Sequence, residues 1–195
     1  MKILCYGDSN TYGYDPRDGG DLDYRYPKSD RWTGILEERY GFEVINEGEN
    51  GRTIPGNRYA LAALKETLRR NQDADAVTVM LGSNDLLIGY PMMTAKEIAG
   101  RMVRLFKRIE EWDLFRAPGK KILLIAPPIV RIPGEAMINR ESDLFAVCFR
   151  EAAKEVGAVF LALQLEASDL AFDGVHLSEA GHQKATEQIR AALRT

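Results

Sequence analysis

The chain is predicted to be an α/β protein, a three-layer α/β/α arrangement around a five-stranded parallel sheet of flavodoxin-like order 2-1-3-4-5. Three observations predict it. Short apolar runs alternate with segments of helical spacing five times along the sequence, a rhythm that calls for a parallel sheet with helices on both faces. Several of the apolar runs end in polar, glycine-bearing turns, as strands do at the edge where open α/β sheets bind ligands. No internal repeat or linker interrupts the pattern, so residues 1–195 read as one domain. With right-handed connections, 2-1-3-4-5 is the simplest order for five such units.

The first strand is Lys2-Ile3-Leu4-Cys5-Tyr6, and it runs into Gly7-Asp8-Ser9-Asn10. Gly7 permits a sharp turn, and Asp8 and Ser9 favour a helix start. The Ser9 hydroxyl is therefore expected at a strand's carboxyl end, beside a helix N-terminus. Tyr12 to about Asp30 is rich in Gly, Asp and Tyr and reads as a loop. Its tyrosines (Tyr12, Tyr14, Tyr24, Tyr26) either line a pocket or pack the loop onto the core. A helix is expected from about Arg31 to Tyr40, stopped by Gly41. Phe42–Asn46 is the second strand, followed by the polar loop Glu47–Thr53. The next helix is expected to start near Pro55, with Leu61, Leu64 and Leu68 inward.

Ala76–Leu81 is the third strand and ends in Gly82-Ser83-Asn84-Asp85. Leu86–Met93 is apolar for a loop and suits a pocket wall, a subunit contact or the domain's own core. Thr94 and Glu97 have the spacing of a capping box. They open a helix that buries Ile98, Met102, Leu105, Ile109 and Trp112, while Arg101, Arg104, Lys107 and Arg108 read as solvated charge. Lys121–Ala126 is the fourth strand, stopped by Pro127 and Pro128. The loop to about Met137, with Ile129 and Val130, is a candidate rim for a site. A helix with Phe145, Cys148, Phe149, Ala152 and Val156 ends at Gly157, and Ala158–Ala162 is the fifth strand. Phe172-Asp173-Gly174-Val175-His176-Leu177 then leads into a last helix capped by Ser178.

Composition bounds the partners. With 45% hydrophobic and 28% charged residues, the chain is ordinary for a soluble globular protein. A formal net charge of −3, with basic residues dispersed, argues against nucleic acid as the main partner. No stretch approaches the ~18 apolar residues of a membrane span. The N-terminal apolar run is too short for a signal peptide, so the cytoplasm is the expected location. Cys5 and Cys148 read as core thiols rather than a disulfide.

Four polar turns are expected to meet at one sheet edge: Gly7-Asp8-Ser9, Asn50-Gly51, Gly82-Ser83-Asn84-Asp85 and Asp173-Gly174-Val175-His176. In a 2-1-3-4-5 sheet, Gly51 and Asn84 flank Ser9. The chemistry this allows is acyl transfer. A neutral hydroxyl needs a base, and the chain has two histidines. His176 follows Asp173 by three positions, so Asp173 can hold one ring nitrogen and leave the other to Ser9. His182 lies in the last helix, where a surface or satisfied residue is the simpler reading. The N–H groups of Ser9 and Gly51 and the Asn84 amide are candidate oxyanion donors. Asp8 and Asp85 read as turn-holding hydrogen-bond acceptors.

These residues carry a resemblance. Gly7-Asp8-Ser9-Asn10, Gly51, Gly82-Ser83-Asn84-Asp85 and Asp173-Gly174-Val175-His176 resemble, in order and spacing, the four blocks of the SGNH (GDSL-like) hydrolases. Arg31-Trp32-Thr33-Gly34, Asn46-Glu47-Gly48 and Arg52-Thr53 look closest to the bacterial arylesterase/acyltransferase subgroup. The resemblance implies the SGNH fold, Ser9 as nucleophile, Asp173 and His176 as triad partners, Gly51 and Asn84 as oxyanion donors, and no metal or organic cofactor. The implied substrate is a small carboxylic ester. Tyr12, Tyr14, Ile129 and Val130 are the pocket candidates, and the apolar loops with the subgroup resemblance lean toward a homo-oligomer. Two features depart from the pattern: Asn10 stands where the family name has Leu, and the connection after Thr53 is short. Two rivals share the strand-end polar residues. One is a metallophosphoesterase, disfavoured by having only two histidines. The other is a non-enzymatic flavodoxin-like phosphate binder, disfavoured by the lack of a phosphate-loop motif.

Overall fold

In the computed structural model, which describes residues 1–18, 24–89, 92–114 and 120–194, the strand at the centre of the expectations is β1 (Lys2–Gly7). Its neighbours are β2 (Glu43–Gly48) and β3 (Ala76–Met80), followed outward from β3 by β4 (Lys121–Ile125) and β5 (Val159–Leu161). The sheet order is β2-β1-β3-β4-β5 and all pairings are parallel, as expected. Gly7 is level with Gly48 on one side and Met80 on the other, so three strands deliver their turns to one edge together.

The helices are α1 (Ser9–Tyr12), α2 (Trp32–Tyr40), α3 (Arg58–Arg70), α4 (Ser83–Ile88), α5 (Ala95–Glu111), α6 (Ala136–Asp143), α7 (Phe145–Val156) and α8 (Glu179–Arg194). Successive residues of β1 point to opposite faces. Leu4 and Tyr6 join Leu64 and Leu68 of α3, Ile98, Met102 and Leu105 of α5 and Phe149 of α7 in one core. Ile3 and Cys5 join Trp32 and Leu36 of α2 and Ala185 and Ile189 of α8 in the other. Those two apolar layers make the three-layer arrangement.

Local chemistry accounts for the boundaries. Gly41 and Gly157 end α2 and α7 in the left-handed region, at φ +68° and +64°. Thr94 and Glu97 form the expected capping box on α5. The helix expected near Pro55 begins at Arg58 instead. Asn57 is its cap and accepts from the N–H groups of Tyr59 and Ala60, both at 3.0 Å. The apolar segment after β3 begins as the short helix α4, with Leu86 in the core and Ile88 exposed. Tyr90 and Pro91, in the same segment, lie outside the described residues. The polar helix α6 was not expected; no side chain caps it, so its start carries no local signal. Both cysteines are free thiols.

Candidate active site

Ser9 opens α1 directly after its cap, Asp8. Asp8 is fully buried and its Oδ1 accepts from the Asn10 N–H at 3.0 Å. Burial pushes the Asp8 carboxyl up to about 6. The turn is tight because of Gly7: a Cβ there would lie 2.0 Å from Thr11 Oγ1 and 2.9 Å from the Met80 carbonyl. Gly48 opposite it is as constrained, since a Cβ would meet the Tyr12 amide nitrogen at 2.1 Å. Asn46 braces the same corner. Its amide donates to the Thr11 carbonyl and to Thr33 Oγ1, both at 2.9 Å, tying β2 to α1 and α2.

The Asp173–His176 turn arrives from the far end of the chain. Asp173 Oδ1 accepts from the N–H groups of Val175 (3.0 Å) and His176 (3.1 Å). Asp173 Oδ2 lies 2.6 Å from His176 Nδ1, and His176 Nε2 lies 2.9 Å from Ser9 Oγ. Burial raises the Asp173 carboxyl, but the hydrogen bonds from His176 and Val175 outweigh it and hold the group below its ordinary value. The Tyr14 ring packs against His176 at 4.7 Å. The turn is pressed onto the loop after β4. Gly174, at φ +69°, leaves no room for a Cβ, which would meet the Arg131 carbonyl at 2.0 Å. The Arg131 N–H donates to the Gly174 carbonyl at 2.7 Å.

Gly51 and Asn84 stand on the turns after β2 and β3, which flank β1. Gly51 has φ +76° and open space where a Cβ would be. The Asn84 amide donates to the Arg52 carbonyl at 3.0 Å, which links the two turns and leaves a second N–H. The next residue, Asp85, is buried; it accepts from the Ile54 N–H at 3.0 Å and pairs with Arg101 at 2.8 Å. Arg101 is thus not the solvated charge expected. Its other nitrogen donates to the Ile54 carbonyl at 3.0 Å, so it closes a clasp between α5 and the loop after β2.

Arg52, which the sequence marks only by its subgroup resemblance, is a second brace. It donates to the Gly7 carbonyl at 2.8 Å, bonds the Glu47 carbonyl, pairs with Glu49 and lies over the Tyr6 ring at 4.2 Å. A cleft of about 450 Å³ beside it is lined by Tyr6, Gly51, Arg52, Thr53 and Tyr59 among others.

Of the four pocket candidates, Tyr14 touches His176. Tyr12 packs under the Arg25 guanidinium at 4.0 Å. Ile129 is half-buried against the core beneath the sheet. Val130 corrects the expectation: it is fully buried and offers no surface to a ligand. The reason is Ser142, whose hydroxyl accepts from the Val130 N–H at 2.9 Å, while Asn139 bonds both the N–H and the carbonyl of Ile132. His182 is a further correction. It is neither exposed nor well satisfied: it is fully buried, Nδ1 accepts from the Trp32 N–H at 3.4 Å, and Nε2 has no partner among the described residues. Of the loop tyrosines, Tyr26 packs on His182 and Tyr24 is exposed.

Among the described residues, no three His, Cys, Asp or Glu side chains are grouped to hold a metal ion, and no helix is long and apolar enough to cross a membrane. A serine, an imidazole and a carboxylate thus stand bonded in series at one edge of a parallel sheet. The chain belongs to the GDSL-like lipase/acylhydrolase family, whose model matches residues 5–184. It is a carboxylic ester hydrolase of the SGNH fold.

Solved structures with the same fold include the native aryl esterase of M. smegmatis, at 26% identity, covering 98% of this chain and 99% of that one, TM-score 0.78. A carbohydrate acetylesterase family member from Sinorhizobium meliloti is 28% identical over 100% of both chains, TM-score 0.74. An acetylxylan esterase from Geobacillus stearothermophilus, at 22% identity, covering 100% of this chain and 94% of that one, shares the fold at TM-score 0.69. A comparison with curated proteins returned no match.

Proposed function

We propose that the chain hydrolyses small carboxylic esters through an acyl-Ser9 intermediate. The observation that carries the reading is the series Asp173 Oδ2, His176 Nδ1, His176 Nε2, Ser9 Oγ, joined at 2.6 and 2.9 Å. With Nδ1–H donating to the Asp173 carboxylate, Nε2 is free to accept the Ser9 proton. Ser9 Oγ attacks the ester carbonyl, and the oxyanion develops where the Ser9 and Gly51 N–H groups and the Asn84 amide can donate. The imidazolium then protonates the leaving alcohol. A water, activated by the same imidazole, releases the acid and restores Ser9; a second alcohol in its place would give acyl transfer. One oxyanion donor stabilises the transition state by roughly 2.7–4 kcal/mol. The aryl esterase and carbohydrate acetylesterase structures support aryl and acetyl esters as the first substrates to try.

The test is turnover of p-nitrophenyl acetate and butyrate by wild type, Ser9→Ala and His176→Ala, each with and without EDTA. Wild-type activity is expected to survive the chelator, and both variants are expected to lose on the order of 10³-fold or more in kcat. Full activity in Ser9→Ala would sink the acyl-serine mechanism. Loss of wild-type activity on chelation would return the metal-dependent phosphoesterase to the field.

A further inference from the structure

We propose that Asn10 is a positioning residue for the general base, coupling the nucleophile's turn to the turn that carries His176. The inference rests on the reading of Ser9 as nucleophile. Asn10 Oδ1 accepts from the Leu177 N–H at 2.8 Å, and Asn10 Nδ2 donates to the Val175 carbonyl at 3.4 Å. These are the two residues on either side of His176. A single side chain, one residue from Ser9, therefore holds both flanks of the imidazole's backbone.

Asn10 is itself fixed. It is 1% exposed, its N–H donates to Asp8 Oδ1 at 3.0 Å, and its carbonyl accepts from Trp32 Nε1 at 2.9 Å. Both main-chain groups and both side-chain polar atoms are thus engaged. The His176 turn has its own internal bonds through Asp173, and these fix the ring relative to the turn. They do not fix the turn relative to Ser9. Asn10 ties it to the Ser9 turn, while the Arg131 N–H bond to the Gly174 carbonyl and the Ala171 N–H bond to the His176 carbonyl, both 2.7 Å, tie it to other segments. A leucine, the residue the family name has here, offers no polar atom and would leave the Leu177 N–H and the Val175 carbonyl without these bonds. Misplacing a reacting pair by about 1 Å costs on the order of 10²-fold in rate.

The experiment compares p-nitrophenyl acetate kinetics and thermal melting of wild type, Asn10→Ala, Asn10→Asp, Ser9→Ala and the double variant Ser9→Ala/Asn10→Ala. Asn10→Ala is expected to lower kcat about 10²-fold with KM changed by less than about threefold and the folded state intact. Asn10→Asp keeps the acceptor for Leu177 and loses the donor to Val175, so its kcat is expected between the two. In the Ser9→Ala background, removing Asn10 is expected to cost no further activity, because residues that act as a unit are not additive. If Asn10→Ala fails to fold, Asn10→Asp carries the test alone: lowered kcat at unchanged KM supports the role, and wild-type kcat overturns it. A loss that tracks the unfolded fraction, or that persists without Ser9, also overturns it. Wild-type kcat in both Asn10 variants beside an inactive Ser9→Ala overturns the positioning role alone, whereas an active Ser9→Ala overturns the acyl-serine reading and the role with it.

Discussion

Asp173 does two jobs with two oxygens, and they can be separated. Oδ1 holds the turn through two backbone N–H groups, and Oδ2 faces the imidazole. Asp173→Asn retains an acceptor for the backbone but turns an N–H toward His176 Nδ1. That forces the proton onto Nε2, where it can no longer accept from Ser9. The expected outcome is a kcat lowered by about 10⁴-fold with the fold intact, read by ester kinetics beside circular dichroism. At this scale much was legible. Ser9, Asp173 and His176 stand out by turn chemistry and a three-residue spacing, and the structure brings them together. Val130 and His182 are not legible because burial decides their roles, and Arg101 is not because its partner Asp85 is buried; in each case burial depends on which element lies overhead.

At the scale of elements, the turn holding His176 is defined by a glycine with no spare volume. Gly174→Ala would combine positive-φ strain with a Cβ 2.0 Å from the Arg131 carbonyl. It is expected to cost more than about 2 kcal/mol and to lower activity, because the loop after β4 must retreat. Gly157, at φ +64° with open space around it, is the control, and its alanine variant is expected to cost only about 1–2 kcal/mol. Urea unfolding of the two variants measures the difference. Both glycines are visible as turn residues in the sequence. Their inequality is not, since it depends on a carbonyl more than forty positions upstream of Gly174 in one case and on empty space in the other. Likewise the capping box of α5 is readable from Thr94 and Glu97, whereas α6 has no such mark and is held through Asn139 and Ser142.

Across the whole molecule, the interior makes stability depend on pH. His182 is buried beside Arg31, His176 and Asp15, and desolvation lowers it to about 3 from the ordinary 6.5. The folded state keeps it neutral while the unfolded chain takes up a proton, so its contribution is complete above pH 6.5 and is lost as pH falls toward 3. Between pH 6.5 and 5 that loss amounts to about 2 kcal/mol. Asp8 runs the other way. Its carboxyl is raised to about 6 from 3.8, so the folded state binds the proton first and gains stability as pH falls through that window. Wild type and His182→Asn should therefore be unfolded by urea at pH 7 and pH 5. The Asp8 contribution is common to both, and the wild type is expected to lose about 2 kcal/mol more on acidification. Equal losses would show that His182 does not govern the acid limb.

By itself the sequence determined the five-unit rhythm, the order 2-1-3-4-5 and four of the turns at one sheet edge. Each of these follows from properties of neighbouring residues: apolar runs, glycine at turns, caps and short spacings. Tertiary structure alone decided that Asn10 spans to Val175 and Leu177, 165 and 167 positions away, and that Trp32 meets His182 across 150. It also decided that Arg101 closes on Asp85 instead of facing water. The physical reason is the same in each case. A polar side chain's role is set by the partner and the dielectric that surround it, and both are supplied by chain segments that the fold brings together from far along the sequence.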